Sequence, residues 1–82
     1  MAKLLIVEDN PFNRDMLARR LEKRGFTLCY AETGEIALEV AVSEQPDLVL
    51  MDIGLGAGID GLETTRRLKA MPATAVIPVS AL

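Results

Sequence analysis

The 82-residue sequence has no histidine, no tryptophan and a single cysteine, Cys29. Zinc is held in proteins mainly by histidine and cysteine, so these absences argue against a zinc site. One cysteine cannot form an internal disulfide, which argues against a small disulfide-stabilised secreted domain. We expect Cys29 to be a small hydrophobic residue of the core.

The sequence also lacks a long hydrophobic run, although half of its residues are hydrophobic. No apolar stretch exceeds five residues, whereas a membrane-spanning helix needs about 20. The chain starts Met-Ala-Lys and leads directly into the apolar residues 4–7, which are too few for a secretory signal. We therefore expect one cytoplasmic domain over residues 1–82, with no membrane segment.

Aromatic residues are scarce, and the net charge is −3, from nine basic and twelve acidic residues. The basic residues cluster on predicted helices among apolar positions, as Arg19-Arg20, Lys23-Arg24 and Arg66-Arg67-Lys69. Without a positive net charge or aromatic platforms for stacking bases, we interpret these clusters as solvated helix faces. We expect no direct nucleic-acid binding.

Short apolar runs alternate with segments of helical periodicity. Strands are predicted over residues 3–7, 26–31, 47–51 and 75–82. The helices between them are predicted to begin after the N-caps Asn10 (or a neighbouring residue), Thr33 and Asp60. They are predicted to end before Gly25, after Val42 and before Pro72. The predicted inner face of the first helix carries Phe12, Met16, Leu17 and Leu21. That of the second carries Ile36, Ala37, Val40 and Ala41, and that of the third carries Leu62 and Leu68.

This alternation predicts an α/β fold with a parallel sheet. Right-handed crossovers leave few arrangements, of which we favour a doubly wound sheet of strand order 2-1-3-4. The first helix then lies on one face of the sheet, and the second and third helices lie on the other.

Acidic residues follow two strands that this order makes neighbours. Glu8 and Asp9 come directly after the first strand, and Asp52 comes directly after the third. Neighbouring strands are about 4.8 Å apart, so the three carboxylates converge at one edge of the sheet. Like charges so close raise one another's pKa unless a cation lies between them, and an all-oxygen ligand set suits Mg²⁺. The glycine-rich loop after Asp52 adds accessible backbone carbonyls and room for water and phosphate oxygens.

Each of these residues also has a purely structural interpretation. Taken alone, Asp52 is a strand-terminal cap, Asp9 is a turn residue before Asn10-Pro11, and Asp60 is a helix cap that forms a capping box with Glu63. The glycines at positions 54, 56, 58 and 61 then serve turn geometry alone. Lys3 lies at the opposite end of the first strand and is expected at the surface.

Four segments resemble the receiver domain of bacterial two-component response regulators: "LLIVEDNPFNRDMLARRLEKRGF", "AETGEIALE", "PDLVLMDI" and "DGLETTRRLKAMPATAVIPV". The resemblance runs in order from Lys3 to Leu82. It implies a flavodoxin-like (CheY-like) fold in which Asp52 accepts a phosphoryl group from a histidine kinase or a phosphotransfer protein in a phosphorelay. It further implies that Glu8 and Asp9 hold Mg²⁺ directly or through water, with Asp52 and the backbone carbonyl of Gly54 as further ligands.

The same resemblance marks departures from the family. The 82 residues have no counterpart of the family's helix 4, strand 5 with its lysine, and helix 5. The serine or threonine that ends strand 4 in the family falls just past Leu82, unless the alignment slips by three positions and Ser80 takes that role. The loop "GLGAGIDG" lacks a proline common there and is one residue longer. We therefore expect a partial receiver domain whose self-phosphorylation is impaired.

These departures leave three functional hypotheses. The first is a phosphoacceptor signalling domain rather than an enzyme. The second is an interaction module that forms a homodimer or a larger homo-oligomer, because strand 4 becomes an open edge carrying Val76, Ile77 and Val79, and the face under the first helix is partly uncovered. The third, an aspartyl-phosphate hydrolase, is the least favoured, because Gly54 occupies the place where a second acid is expected.

Overall fold

A computed structural model describes residues 2–82 of the chain. Its elements are β1 (Lys3–Val7), α1 (Pro11–Lys23), β2 (Thr27–Ala31), α2 (Gly34–Glu44), β3 (Leu48–Met51), α3 (Gly61–Ala70) and β4 (Val79–Ala81). The strands form one parallel sheet in the order β2-β1-β3-β4, which confirms the predicted topology. Among these residues, no helix combines the length and apolarity needed to cross a membrane.

The core lies mainly on the sheet face covered by α2 and α3, which pack against each other. Alternate residues of the central strands point into it, with Leu5 and Val7 from β1 and Val49 and Met51 from β3. Leu4 and Ile6 are buried outside this cluster, on the face crossed by α1. Cys29 lies half-buried against the core, and this burial raises the pKa of its thiol.

Each predicted N-cap is confirmed. The Asn10 side chain accepts a hydrogen bond from the Asn13 N–H at 3.0 Å, Thr33 accepts from Ile36 at 3.1 Å, and Asp60 accepts from Glu63 at 2.8 Å. The capping box is only half formed, because the Glu63 carboxylate pairs with Arg66 and Arg67 instead of returning to the cap. That part of the prediction was wrong: two guanidinium groups one turn away outcompete a single backbone N–H.

The predicted start of the fourth strand was also wrong. β4 begins at Val79, and residues 71–77 form turns in which the N–H groups of Thr74 and Ala75 both donate to the Met71 carbonyl. Lys69 holds this connection by donating to the Ile77 carbonyl at 2.6 Å. As a result Ile77 is buried in the core and Val76 is 88% exposed, so neither lies on the open strand edge.

Three predicted helix faces need correction. In α3, Leu62 is 63% exposed, and the buried residues are Gly61, Thr64 and Leu68. Small residues at positions 61 and 64 let α3 approach its neighbours closely, which turns Leu62 outward. In α1, Phe12 is 61% and Met16 is 43% exposed, because Ala18 is the residue that α1 buries against the sheet. Ile36 of α2 is exposed as well.

Candidate functional site

The carboxylates of Glu8, Asp9 and Asp52 form a cluster in which one oxygen of each lies within 4.8 Å of the others. Glu8 is buried, Asp52 is half-buried and Asp9 is exposed. The cluster lies just past the carboxyl ends of β1 and β3, at the switch point of the sheet. The structure therefore brings together the three side chains that the sequence placed there.

The parallel ladder itself positions two of these residues. In its register Val7 pairs with both Ala31 and Met51, so β1, β2 and β3 end at the same level. The next backbone groups continue the ladder, with the Glu8 N–H donating to the Ala31 carbonyl at 3.1 Å and the Asp52 N–H to the Val7 carbonyl at 2.9 Å. The first residues past β1 and β3 are thus held by the same hydrogen bonds that hold the sheet.

Backbone N–H groups then orient each carboxylate. The Asn10 N–H donates to Glu8 Oε2 at 3.3 Å, and the Gly54 N–H donates to Asp52 Oδ1 at 3.0 Å. The Gly56 N–H reaches across from the loop to Asp9 Oδ2, also at 3.0 Å. Hydrogen bonds from neutral backbone donors fix carboxylate orientation without neutralising the negative charge.

The electrostatics of the cluster differ from residue to residue. Burial raises the pKa of Glu8, and the adjacent Asp52 and Asp9 carboxyls add to that increase. The hydrogen bond from the Gly56 N–H lowers the pKa of Asp9, with a further lowering from its interaction with Glu8. Like charges held this close are unfavourable without a cation.

The residues present fit a hard divalent cation. Carboxylate oxygens are the ligands that Mg²⁺ prefers, and an exposed Asp9 leaves room for coordinated water. Within residues 2–82, no lysine or arginine forms an ion pair with any of the three carboxylates. Arg14 donates to the Glu8 backbone carbonyl at 2.9 Å rather than to the side chain.

Other singled-out residues have structural roles or lie away from the cluster. Asp60 caps α3, and Lys3 forms a surface ion pair with Glu44 at 3.0 Å. Gly61 is required by a close approach, because an added Cβ would overlap the backbone of Asp52 and Ile53. Ser80 pairs with Leu50 in the sheet, two positions before Asp52, and is not part of the acidic cluster.

The sequence did not predict two hydrogen bonds made by the loop after β3. The Gly56 N–H binds Asp9, and the Ile59 N–H donates to Glu35 Oε2 at 3.1 Å. The sequence indicated for Gly56 either a turn or a place in an open loop around the metal, and it indicated no role for Glu35. No spacing signal links these partners, which are 47 and 24 positions apart in the chain.

Comparison with known proteins finds one matching family model, described as the response regulator receiver domain, over residues 4–82. The chain is 42% identical over 79 residues to protein PilH of Pseudomonas aeruginosa, covering 96% of this chain and 64% of PilH. It is 43% identical to a protein-glutamate methylesterase of Syntrophus aciditrophicus, of which it spans 23%. The chain thus spans less than two thirds of these relatives.

Solved structures give the same result. The N-terminal domain of a response regulator receiver protein from Methanoculleus marisnigri superposes with a TM-score of 0.95 at 40% identity, covering 99% of this chain and 65% of that one. A second structure is the receiver domain of the sensor histidine kinase PA1611 from Pseudomonas aeruginosa, which has a magnesium ion coordinated in its active site cleft. It superposes with a TM-score of 0.91 at 30% identity. The match covers 98% of this chain and 65% of the PA1611 receiver chain.

Proposed function

Because the chain belongs to the response regulator receiver domain family, we propose that Asp52 accepts a phosphoryl group with the help of Mg²⁺. The supporting observation is the Glu8–Asp9–Asp52 cluster, whose oxygens lie within 4.8 Å of one another. The proposed metal ligands are these three carboxylates and the backbone carbonyl of Gly54. The proposed donor is a histidine kinase or a phosphotransfer protein, the proposed location is the cytoplasm, and residues 1–82 are proposed to form one partial receiver domain.

The chemistry assigned to Asp52 is nucleophilic substitution at phosphorus. One Asp52 carboxylate oxygen forms a bond to phosphorus while the phosphorus–nitrogen bond of a phosphohistidine donor breaks. The donor ring, protonated on its other nitrogen, takes the bonding pair and leaves as neutral imidazole, and Asp52 becomes an acyl phosphate. Bound Mg²⁺ supplies charge neutralisation at the phosphoryl oxygens. The chain's own part is to hold Asp52 through the Gly54 N–H and to place Glu8 and Asp9 around it. Such a domain stores a phosphoryl group and does not turn over as a conventional enzyme.

The test is phosphorylation by a small acyl phosphate in the presence of Mg²⁺, followed by intact mass spectrometry. We expect a gain of one phosphoryl group that needs Mg²⁺ and is lost in Asp52→Asn. Asp15→Asn is the matched control, because Asp15 is an exposed carboxylate of α1 whose recorded side-chain contact is an ion pair with Arg19. No gain at any Mg²⁺ concentration, or an equal gain in Asp52→Asn, would contradict the proposal.

A second proposed role is self-association through the β4 edge. β4 is an edge strand, and the residues that flank it bond to β3: the Pro78 carbonyl accepts from Val49, and the Leu82 N–H donates to Met51. The backbone groups of Val79 and Ala81 therefore point outward. Phe12, Met16 and Tyr30 add exposed apolar surface around α1. Pairing of two β4 edges about a two-fold axis is the simplest closed arrangement that uses the outward backbone groups of Val79 and Ala81.

Sedimentation velocity at micromolar concentration tests this second role. We expect a dimer or a larger species, and dissociation to monomer in Val79→Pro, because proline at an outward-facing position removes a donor and blocks strand pairing. Val79 lies in an edge strand with its N–H directed away from β3, a position at which sheets tolerate proline. A compact monomer of the unmodified chain would rule the role out and leave the phosphoacceptor proposal intact.

A further inference from the structure

The amino end of α2 is packed unusually close to α3. A Cβ added at Gly34 would overlap the Thr64 hydroxyl and lie 2.6 Å from a side-chain carbon of Ile59. Gly34 and Thr64 are both buried. Glycine therefore permits a contact that brings the first turn of α2 against the start of α3 and the end of the loop that precedes it.

This contact places the Glu35 side chain beside the loop. The Ile59 N–H donates to Glu35 Oε2 at 3.1 Å. At the neighbouring Gly58, which has a φ of 71°, an added Cβ would lie 2.7 Å from the same oxygen. The left-handed backbone and the absence of a side chain at Gly58 let the loop fold directly over the Glu35 carboxylate.

The other end of the loop is held by a second carboxylate. The Gly56 N–H donates to Asp9 Oδ2 at 3.0 Å, so only Ala57 and Gly58 separate the two attachment points. One attachment is Asp9, two residues after β1, and the other is Glu35 of α2. The short segment between them has few ways to move while both hydrogen bonds are made.

We propose that Glu35 is a positioning residue for the metal site, acting through the loop and not on the metal. By holding Ile59 it keeps the Gly56 N–H on Asp9 and limits the motion of Gly54, whose carbonyl is a proposed ligand. The proposal rests on the Mg²⁺ site put forward above. Partners that orient a metal ligand directly change affinity by about 10–100-fold when removed, and a residue acting one step further out is expected to have a smaller effect.

The first experiment measures the hydrogen bond between the Ile59 N–H and Glu35 by amide hydrogen exchange in the metal-free protein. In Glu35→Ala we expect exchange at Ile59 to rise about two- to tenfold, the range for loss of one exposed hydrogen bond, with a smaller rise at Gly56. Glu35→Gln keeps an acceptor oxygen and is expected to restore protection. Glu39→Ala is the matched control, since Glu39 is an exposed glutamate one turn along α2 with no recorded hydrogen bond among residues 2–82. Unchanged exchange at Ile59 in Glu35→Ala would overturn the proposal.

The second experiment is a Mg²⁺ titration followed by the NMR signals of the Gly54 and Gly56 amides. We expect the dissociation constant to rise about two- to tenfold in Glu35→Ala, with recovery in Glu35→Gln and no change in Glu39→Ala. A general loss of helix stability would not be rescued by glutamine, which lacks the charge that favours a helix start. Equal affinity of Glu35→Ala and wild type would overturn the positioning role alone. Absence of binding in wild type would instead overturn the metal site, and with it this role.

Discussion

The backbone N–H of Gly56 donates a hydrogen bond to the Asp9 carboxylate at 3.0 Å, across 47 positions of sequence. This bond lowers the pKa of Asp9 and joins the loop after β3 to the second residue after β1. A Cβ at Gly56 would lie 2.9 Å from Asp9 Oδ2, so the Asp9 carboxylate would have to shift to admit a side chain there. The acidic cluster and the glycine loop are therefore one structural unit.

Gly56→Ala is expected to weaken Mg²⁺ binding by about tenfold, the effect of losing a direct partner of a metal ligand. The added methyl group forces the loop or the Asp9 carboxylate to shift, so the orienting hydrogen bond is lost. Calorimetric Mg²⁺ titration measures the change, with Ala57→Ser as a control at the neighbouring exposed position. An unchanged dissociation constant would show that the Gly56 contact does not orient Asp9.

Glu63 is expected to titrate far below an ordinary glutamate. Arg66 and Arg67 lower the pKa of Glu63 from 4.5 to about 2. Because folding lowers the pKa of Glu63, its ion pairs stabilise the folded state at pH values above 4.5, the pKa in the unfolded chain. This stabilisation is lost as the pH falls from 4.5 through about 2. NMR titration of the Glu63 carboxyl carbon should show it ionised at pH 3, and replacing both arginines by glutamine should return the midpoint towards 4.5. A midpoint near 4.5 in the unmodified protein would mean that the ion pairs are not formed in solution.

Thr74→Val is expected to destabilise the fold by about 1–2 kcal/mol. The Thr74 side chain is fully buried, and its hydroxyl donates to the Leu68 carbonyl at 2.7 Å, near the carboxyl end of α3. Valine keeps the shape but leaves a buried carbonyl less satisfied. Urea unfolding gives the difference, and Thr65→Val, which removes a similar bond at a half-buried site, should lose less. Equal losses would mean that burial does not set the strength of the Thr74 bond.

Leu68→Ala and Leu62→Ala are expected to differ sharply although both residues lie on α3. Leu68 is 1% exposed in the core, and its truncation should lower the free energy of unfolding by about 2–4 kcal/mol. Leu62 is exposed, so its truncation should change stability by less than about 0.5 kcal/mol. Thermal or urea unfolding distinguishes the two, and a large loss in Leu62→Ala would indicate that its surface is covered in solution.

The topology and the acidic cluster were predictable from sequence because both depend on repeated, local signals. The strand–helix alternation fixed a parallel sheet, and the positions just past β1 and β3 then had to meet at one edge. The N-caps Asn10, Thr33 and Asp60 were equally predictable, because a cap acts within three residues of its position.

What sequence did not reveal depends on contacts between distant segments. The β-branched residues Val76 and Ile77 favoured a strand. Two hydrogen bonds between α3 and the following segment keep it in turns instead: Lys69 donates to the Ile77 carbonyl, and the Thr74 hydroxyl donates to the Leu68 carbonyl. Leu62 suited a buried position by hydrophobicity, and the tight packing at Thr64 placed it outside. The Glu35 contact to Ile59 has no periodic signal at all.

The pairing of β1 with β3 has a consequence for the thermodynamics of folding. The carboxylates of Glu8 and Asp52 are neighbours only when these strands are joined, so an unfolded chain offers a divalent cation no comparable site. Ligand present at 100 times its dissociation constant stabilises a folded state by about 2.7 kcal/mol through mass action. Mg²⁺ bound at the proposed site would therefore stabilise the folded sheet, and the melting temperature of the protein would rise with the Mg²⁺ concentration.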